Sequence, residues 1–303
     1  MLKSYFWISK ATYSLSEGKR NSIMIQLSAF ADEISPNLDE QIAVLRHENI
    51  HFIDLRSVWG INMLDFSDEQ VNEIKQKLQE HGIGVAALGS PIGKVPIDSS
   101  FDTHLQRFER AIQLAHAFGT PYIRLFSFYP PQHPANDAAD PATWRDEVIR
   151  HMQEFTARAR AANVILLHEN EKDIYGDIIS RCLDLYQTIN DLRLRNVLDP
   201  ANFLQCAQVP YPDAYNALRS WTQYIHVKDV RADGTLVPAG EGAAHWPDLL
   251  QQLRADGYSG FLALEPHLSA AGQFQGFSGP ELFRKASQAL QKLLHDMDWA
   301  LSV

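Results

Sequence analysis

Only two cysteines, Cys182 and Cys206, occur in the 303 residues, and they show no CxxC spacing. That shortage argues against a disulfide framework and against a thiolate metal site, and makes a reducing cytoplasm the expected compartment. Basic residues are outnumbered, giving a formal net charge of −10. A phosphate-tracking nucleic-acid binder needs the opposite balance, so a nucleic-acid partner is not expected. No apolar run approaches the roughly 20 residues of a membrane helix, so no membrane role is expected either. The N-terminal stretch is interrupted by Lys3 and Lys10 and lacks the apolar core of a signal peptide. Nor does a GxGxxG follow the first strand-like run, MIQLSAF from Met24, which disfavours a dinucleotide-binding sheet.

What is present is an ordinary globular composition, 45% hydrophobic, and a regular alternation of short apolar runs with longer amphipathic stretches. Strands are expected at 25–30, 52–56, 84–90, 122–127, 164–169, 196–199, 224–228 and 261–265. Between them, Pro36 is placed in the first turn of a helix carrying Leu38, Ile42 and Leu45. Ser67 to Gln70 fits a capping box that opens a helix closed at Gly82. Further helices are expected over 101–118, 142–162, 178–189, 213–221, 246–255 and 278–295, and a Pro-rich loop, FYPPQHPANDAADP, follows the fourth strand. A loop of that length either folds over a site or is a surface excursion. Eight strand-and-helix units without a composition break predict a single (β/α)8 TIM barrel over residues 24–303, with residues 1–23 as a short N-terminal extension outside the fold.

Barrel enzymes carry their chemistry at the C-terminal ends of the strands. Those ends read Glu169 in LLHENE, Asp199 in VLDP, His226 in YIHVKD and Glu265 in LALEP. Successive members lie 30, 27 and 39 residues apart, close to one unit each, so closure gathers them around one pocket. Three carboxylates and one imidazole form an oxygen-rich set suited to Mn²⁺ or Mg²⁺, with Co²⁺ or Zn²⁺ also accommodated. Singly, each has a plain structural alternative: Asp199 starting a turn, His226 as a core histidine, Glu265 paired with an Arg. Four such residues on consecutive strands favour the metal reading. Alternation along the fifth strand puts Glu169 and Glu171 on the side of Leu167, and His168 and Asn170 on the other.

Over about Ile25 to His295 the chain resembles the xylose-isomerase-like TIM barrel superfamily of sugar isomerases and epimerases, also described as AP endonuclease family 2. It is most similar to the sugar phosphate isomerase/epimerase proteins, through FADEISPNLDEQ, FIDLR, SPIGK, YIRLFSFY, HENEKDIYGD, DPANF, HVKD and LALEPH. The resemblance implies that Glu169 and Glu265 are both metal ligands and the catalytic acid/base pair, with Asp199 and His226 completing the metal shell. It further implies an isomerase or epimerase acting on a small ketose or ketose phosphate, by proton abstraction through a metal-bound enediolate. An inosose-type dehydratase on the same scaffold is the alternative, and a non-catalytic sugar-binding barrel a more distant one. Two departures stand out: Asn202 replaces the His that epimerases often carry three residues after the strand-six Asp, and Arg231 only approximately matches a downstream Arg.

Softer substrate-binding candidates surround this set. Glu171 and His267 lie one step further out, either on substrate hydroxyls or in solvent. Lys228 and Lys94 are suited to an anionic substrate or an enolate, with a solvated loop as the alternative for Lys94. Asn202 and Arg231 complete the group. Asp54 and Arg56 are expected to pair with each other, and Phe126, Phe128, Trp59 and Trp246 either to wall the pocket or to fill core. Association into a homo-oligomer is compatible with the sequence.

Overall fold

The computed structural model describes residues 24–131, 140–268 and 278–301. The N-terminal extension and most of the Pro-rich loop lie outside the described residues. Eight parallel strands close into a barrel: β1 Gln26–Ala29, β2 Phe52–Leu55, β3 Gly84–Leu88, β4 Tyr122–Leu125, β5 Ile165–Glu169, β6 Leu194–Leu198, β7 Thr222–Val227 and β8 Phe261–Leu264. Each strand pairs with its sequence neighbours, and β8 returns to β1 with Ala29 opposite Leu264. Every strand is therefore paired on both sides, and no barrel edge is left open.

The helices follow the sequence signals closely. Leu38–His47 forms α1, Asp68–Glu80 α2, Phe101–Phe118 α3, Arg145–Ala162 α4, Ile179–Ile189 α5, Pro200–Gln205 α6, Tyr215–Leu218 α7, Trp246–Ala255 α8 and Gly279–Asp296 α9. Ser67 and Gln70 form both halves of the capping box, and Gly82 takes the left-handed conformation (φ 67°) that ends α2. Pro36 is not in the first turn of α1. Asn37 caps that helix instead, its Oδ1 accepting the Glu40 N–H at 3.1 Å, because a side-chain acceptor satisfies a free helical donor and Pro36 offers none. The short α6 was not anticipated. Asp199 caps it through Oδ1, which accepts the Asn202 N–H at 2.9 Å, with Pro200 in the first turn.

Inside the barrel, alternation stacks the side chains in layers. Phe52, Tyr122, Ile165 and Phe261 belong to an apolar floor packed on Leu167, Val197, Tyr224 and Ala263. Tyr224 donates to Asp54 Oδ1 at 2.7 Å and lies 3.0 Å from Ser28 Oγ, so Asp54 looks into the barrel and does not pair with Arg56. Burial, opposed by the hydroxyl bonds and by His226, raises the Asp54 pKa to about 6. Towards the C-terminal strand ends, Arg56, Arg124, Glu169, Asp199, His226 and Glu265 form a layer of charge, and that layer is the mouth of the barrel.

The SPIGK loop is tied down by an unprotonated histidine. His104 on α3 accepts the Gly93 N–H at 2.8 Å through Nε2, and burial lowers its pKa to about 4. Gly93 is at φ 86°, and a Cβ there would lie 1.9 Å from the Phe126 carbonyl oxygen, so no other residue fits. Because the folded-state pKa is depressed, the stabilisation is present above pH 6.5 and is lost as pH falls through about 4. Urea unfolding between pH 7 and pH 4 is expected to show about 3 kcal/mol of pH-dependent loss from this group. In His104→Gln that component of the slope should disappear; an unchanged slope would show that His104 is not its source.

Candidate metal centre and active site

Glu169 is the last residue of β5, Asp199 follows β6, His226 lies near the end of β7 and Glu265 follows β8. Parallel pairing aligns these ends, with Ala263 opposite His226 in the β7–β8 register. All four side chains are buried, and one ligand atom from each falls in a group whose members lie within 4.8 Å of one another.

The fit to a cation rests on how these atoms meet. His226 Nδ1 lies 3.3 Å from Glu169 Oε1 and 3.2 Å from Glu265 Oε2, and Lys228 Nζ lies 2.8 Å from Asp199 Oδ2. Yet Asp199 Oδ2, His226 Nδ1 and Glu265 Oε2 are buried without an aligned hydrogen bond. Their contacts are ion pairs without good hydrogen-bond alignment, as expected of atoms that face a common point, and hard oxygen donors with one imidazole suit a hard divalent ion.

The protein sets positive charge against these carboxylates. Burial works against protonating His226, but Glu169 and Glu265 outweigh it and raise the imidazole pKa to about 10. Burial pushes Glu169 up, and His226 and Arg124 pull it well below the usual carboxylate range despite Glu265 nearby. Burial likewise opposes ionisation of Glu265, and Lys228, His226 and His267 more than reverse it. Asp199 remains raised to about 6, because burial exceeds the pull of Lys228.

The neighbours fix each carboxylate. Asn170 donates to the Asp199 carbonyl at 3.0 Å and accepts the Asp199 N–H at 3.0 Å, clamping the end of β5 to the end of β6. Asn202 Nδ2 donates to Glu169 Oε1 at 3.1 Å. His168 points to the outer layer, its ring nitrogens 3.1 Å from the Tyr186 hydroxyl and 3.0 Å from Ser127 Oγ. Burial lowers its pKa to about 3, so it is a structural, neutral histidine.

Arg124 had no role in the sequence reading. It is buried on β4 with Nη1 3.0 Å from Glu169 Oε2 and 3.3 Å from Glu265 Oε1, and Nη2 3.2 Å from the Gly89 carbonyl. Its guanidinium lies 4.7 Å from the Phe30 ring centroid and 5.0 Å from that of Phe126. The signal was available: an arginine shares its strand face with Tyr122 and Phe126, where the barrel interior should be apolar. Arg56, expected on Asp54, instead bonds Asp32 Oδ2 at 2.7 Å and Glu265 Oε1 at 2.9 Å.

A cavity of about 570 Å³ opens above this layer, lined by Asp32, Arg56, Lys94, Arg124, Glu171, Asn202, Lys228, Glu265 and His267 among others. Lys94 pairs with Glu171 at 2.5 Å and lies over the Phe126 ring, so the loop lysine faces the site. His267, at φ 49°, is gripped by Glu33: its N–H donates to Glu33 Oε2 at 2.9 Å and Nδ1 lies 2.8 Å from Oε1. Arg231 is not brought to the cavity. It is exposed and lies 3.6 Å from Glu241. Trp246 is buried core, donating Nε1–H to the Lys228 carbonyl at 3.2 Å.

The profile of the xylose isomerase-like TIM barrel family matches residues 49–293. A search of curated proteins finds no match. Among solved structures the chain is similar to a D-tagatose 3-epimerase-like protein at TM-score 0.71 and 14% identity, covering 91% of this chain and 98% of that one. It is similar to the probable 3-DHS dehydratase AsbF from Bacillus anthracis at 0.66 and 17%, covering 88% and 98%. It is also similar to the 3-keto-D-glucoside 4-epimerase YcjR from E. coli at 0.65 and 16%, covering 90% and 99%. At these identities the likeness concerns the fold.

Metal ligation needs a neutral imidazole and ionised carboxylates. At pH 8, Asp199 is already ionised and His226 still carries its proton, so one Mn²⁺ should release about one proton per chain. Calorimetric titration in buffers of different ionisation enthalpy measures that proton. Mn²⁺ uptake without proton release would contradict the assignment of His226.

Proposed function

The chain belongs to the xylose isomerase-like TIM barrel family, and we propose that it is a divalent-metal-dependent isomerase or epimerase acting on a small ketose or a ketose derivative. The observation that carries this reading is the pairing of two buried glutamates, Glu169 and Glu265, across one cluster that also holds Asp199 and His226. These four would hold the ion, with Mn²⁺ or Mg²⁺ matching the donor set. When bound, the ion supplies polarisation of the substrate carbonyl and stabilisation of the charge that develops on its oxygen.

The chain's own residues do the rest. Glu169 and Glu265, on strands at different sides of the site, act as base and acid at the carbon next to the carbonyl: the ionised one takes its proton on one face, and the other, having picked up a proton from solvent, delivers that proton on the opposite face and inverts the carbon. Arg124 bonds an oxygen of each carboxylate and holds both aimed before substrate arrives. Lys228 adds a buried ammonium beside Asp199 and Glu265, positioned to stabilise an enolate. Glu171, Lys94, His267 and Asn202 present hydrogen-bonding groups to substrate hydroxyls around the cavity.

Dehydration is the second reading. It is favoured by His267, whose Nε2 lies 3.7 Å from Glu265 Oε1 and lines the cavity, where it can protonate a departing hydroxyl. Both free thiols and the composition fit a cytoplasmic enzyme. Among the described residues no helix is long and apolar enough to cross a membrane.

Glu169→Gln and Glu265→Gln are each expected to lower kcat by about 10²–10⁴-fold while circular dichroism and the unfolding midpoint show a folded protein. Ketoses, inososes and ketose phosphates screened with Mn²⁺ in D₂O, read by product NMR, provide the assay. Deuterium at the epimerised carbon supports isomerisation or epimerisation, and a dehydrated product the second reading. Near-normal turnover in either variant would sink the two-carboxylate mechanism.

A further inference from the structure

The two glutamates of the cluster turn their two oxygens to different neighbours. Glu169 Oε2 and Glu265 Oε1 accept the arginines, Arg124 on both at 3.0 and 3.3 Å and Arg56 on Glu265 at 2.9 Å. Glu169 Oε1 and Glu265 Oε2 face His226 Nδ1 instead, at 3.3 and 3.2 Å. The guanidiniums thus anchor one oxygen of each glutamate and leave the other to the cluster. Lys228 breaks that division. Its Nζ lies 2.8 Å from Asp199 Oδ2 and 3.9 Å from Glu265 Oε2, the oxygen that also faces His226.

Asp199 has no second oxygen to offer. Its Oδ1 accepts the Asn202 N–H at 2.9 Å as the cap of α6, and its own N–H and carbonyl are held by Asn170 at 3.0 Å each. Ligation by Asp199 therefore falls to Oδ2, the atom that Lys228 contacts. Among the described residues the ion pairs of Lys228 are with Asp199 and Glu265, so its ammonium and a divalent ion draw on the same two oxygens. Like charges on shared oxygens oppose each other.

Lys228 has the means to yield. Its backbone is fixed, because its carbonyl accepts Trp246 Nε1–H at 3.2 Å and the adjoining Asp229 carboxylate accepts the N–H groups of Gly240, Gly242 and Ala244. Its side chain lines the cavity on a flexible four-carbon stem. Arg124 lacks that freedom: Nη1 serves both glutamates and Nη2 the Gly89 carbonyl. Nor is a further anion required. Asp32, Glu33, Glu169, Glu171, Asp199 and Glu265 balance Arg56, Lys94, Arg124 and Lys228 together with one divalent ion, and Glu171 and Asn202 offer acceptors around the same cavity.

We propose that Lys228 competes with the divalent ion for Asp199 Oδ2 and Glu265 Oε2, and that in the loaded site its ammonium turns into the cavity to meet a substrate oxygen. The competition weakens metal binding. The displacement ties substrate recognition by Lys228 to a filled metal site, so metal binds before substrate. This rests on the metal-dependent reading above and adds an order to it.

Calorimetric titration of Mn²⁺ into the full chain compares wild type with Lys228→Met and Arg56→Met. Both variants lose one positive charge at the mouth, but Arg56 pairs with the four-residue cluster through Glu265 Oε1 and not through the shared oxygens. Lys228→Met is expected to bind Mn²⁺ about tenfold more tightly than wild type, and more tightly than Arg56→Met. Equal or weaker binding in Lys228→Met overturns the proposal, and so does equal tightening in both variants, the outcome for charge acting at long range. Acetylation of wild type, read at Lys228 by peptide mass spectrometry against the exposed Lys292, follows the displacement itself and decides the matter where a variant does not fold. Saturating Mn²⁺ should speed acetylation of the released Lys228 amine by about threefold or more. An unchanged or slower rate overturns the proposal. One ion per wild-type chain without these changes defeats this proposal alone, whereas no Mn²⁺ binding defeats the underlying reading and this proposal with it.

Discussion

Three carboxylates buried within one small cluster cannot all ionise unless positive charge is brought to them, and the mouth of this barrel is built around that demand. His226, Arg124, Arg56 and Lys228 meet it in the protein alone. They come from the ends of β2, β4 and β7, so the charge balance also fixes how those strand ends sit against one another. Breaking any buried pair leaves its partner uncompensated, and that cost, typically about 3–5 kcal/mol, ties the integrity of the mouth to the integrity of the site.

The barrel supplies the geometry with little local invention. Side chains alternate along a strand and neighbouring strands run in register, so one layer of interior positions becomes a ring. The layer of Leu167, Tyr224 and Ala263 is packed and largely apolar, with the Asp54–Tyr224–Ser28 network as its polar exception. One step towards the C-terminal ends the ring is charged. Asp199 serves two levels at once: Oδ1 caps α6, while Oδ2 faces the cluster. A helix cap and a place in the cluster are compatible in this one side chain.

Much of this was legible in the chain because it depends on local pattern. Strand alternation separated Glu169 from His168, and the capping box at Ser67 and the glycine ends of α2 and α3 marked helix limits within a residue or two. The ion pairs were not legible. Arg56 meets Glu265 across 209 residues and Arg124 meets Glu265 across 141, and no spacing rule encodes such partners before closure is known. The expected Asp54–Arg56 pair failed for a related reason. The two share a strand face, but Asp54 stops at the Tyr224 layer while Arg56 reaches the charged ring above it. Asp32 and Glu33, in the loop after β1, gained roles only because β1 closes against β8 and brings them to Arg56 and His267.

The central claim is that Glu169, Asp199, His226 and Glu265 hold one divalent ion. Anomalous diffraction from crystals grown with Mn²⁺ tests it most directly. The account predicts a single peak per chain in contact with all four side chains, with His226 no longer bridging the two glutamates. A peak elsewhere, or none at saturating Mn²⁺ with His226 still between Glu169 and Glu265, would contradict it.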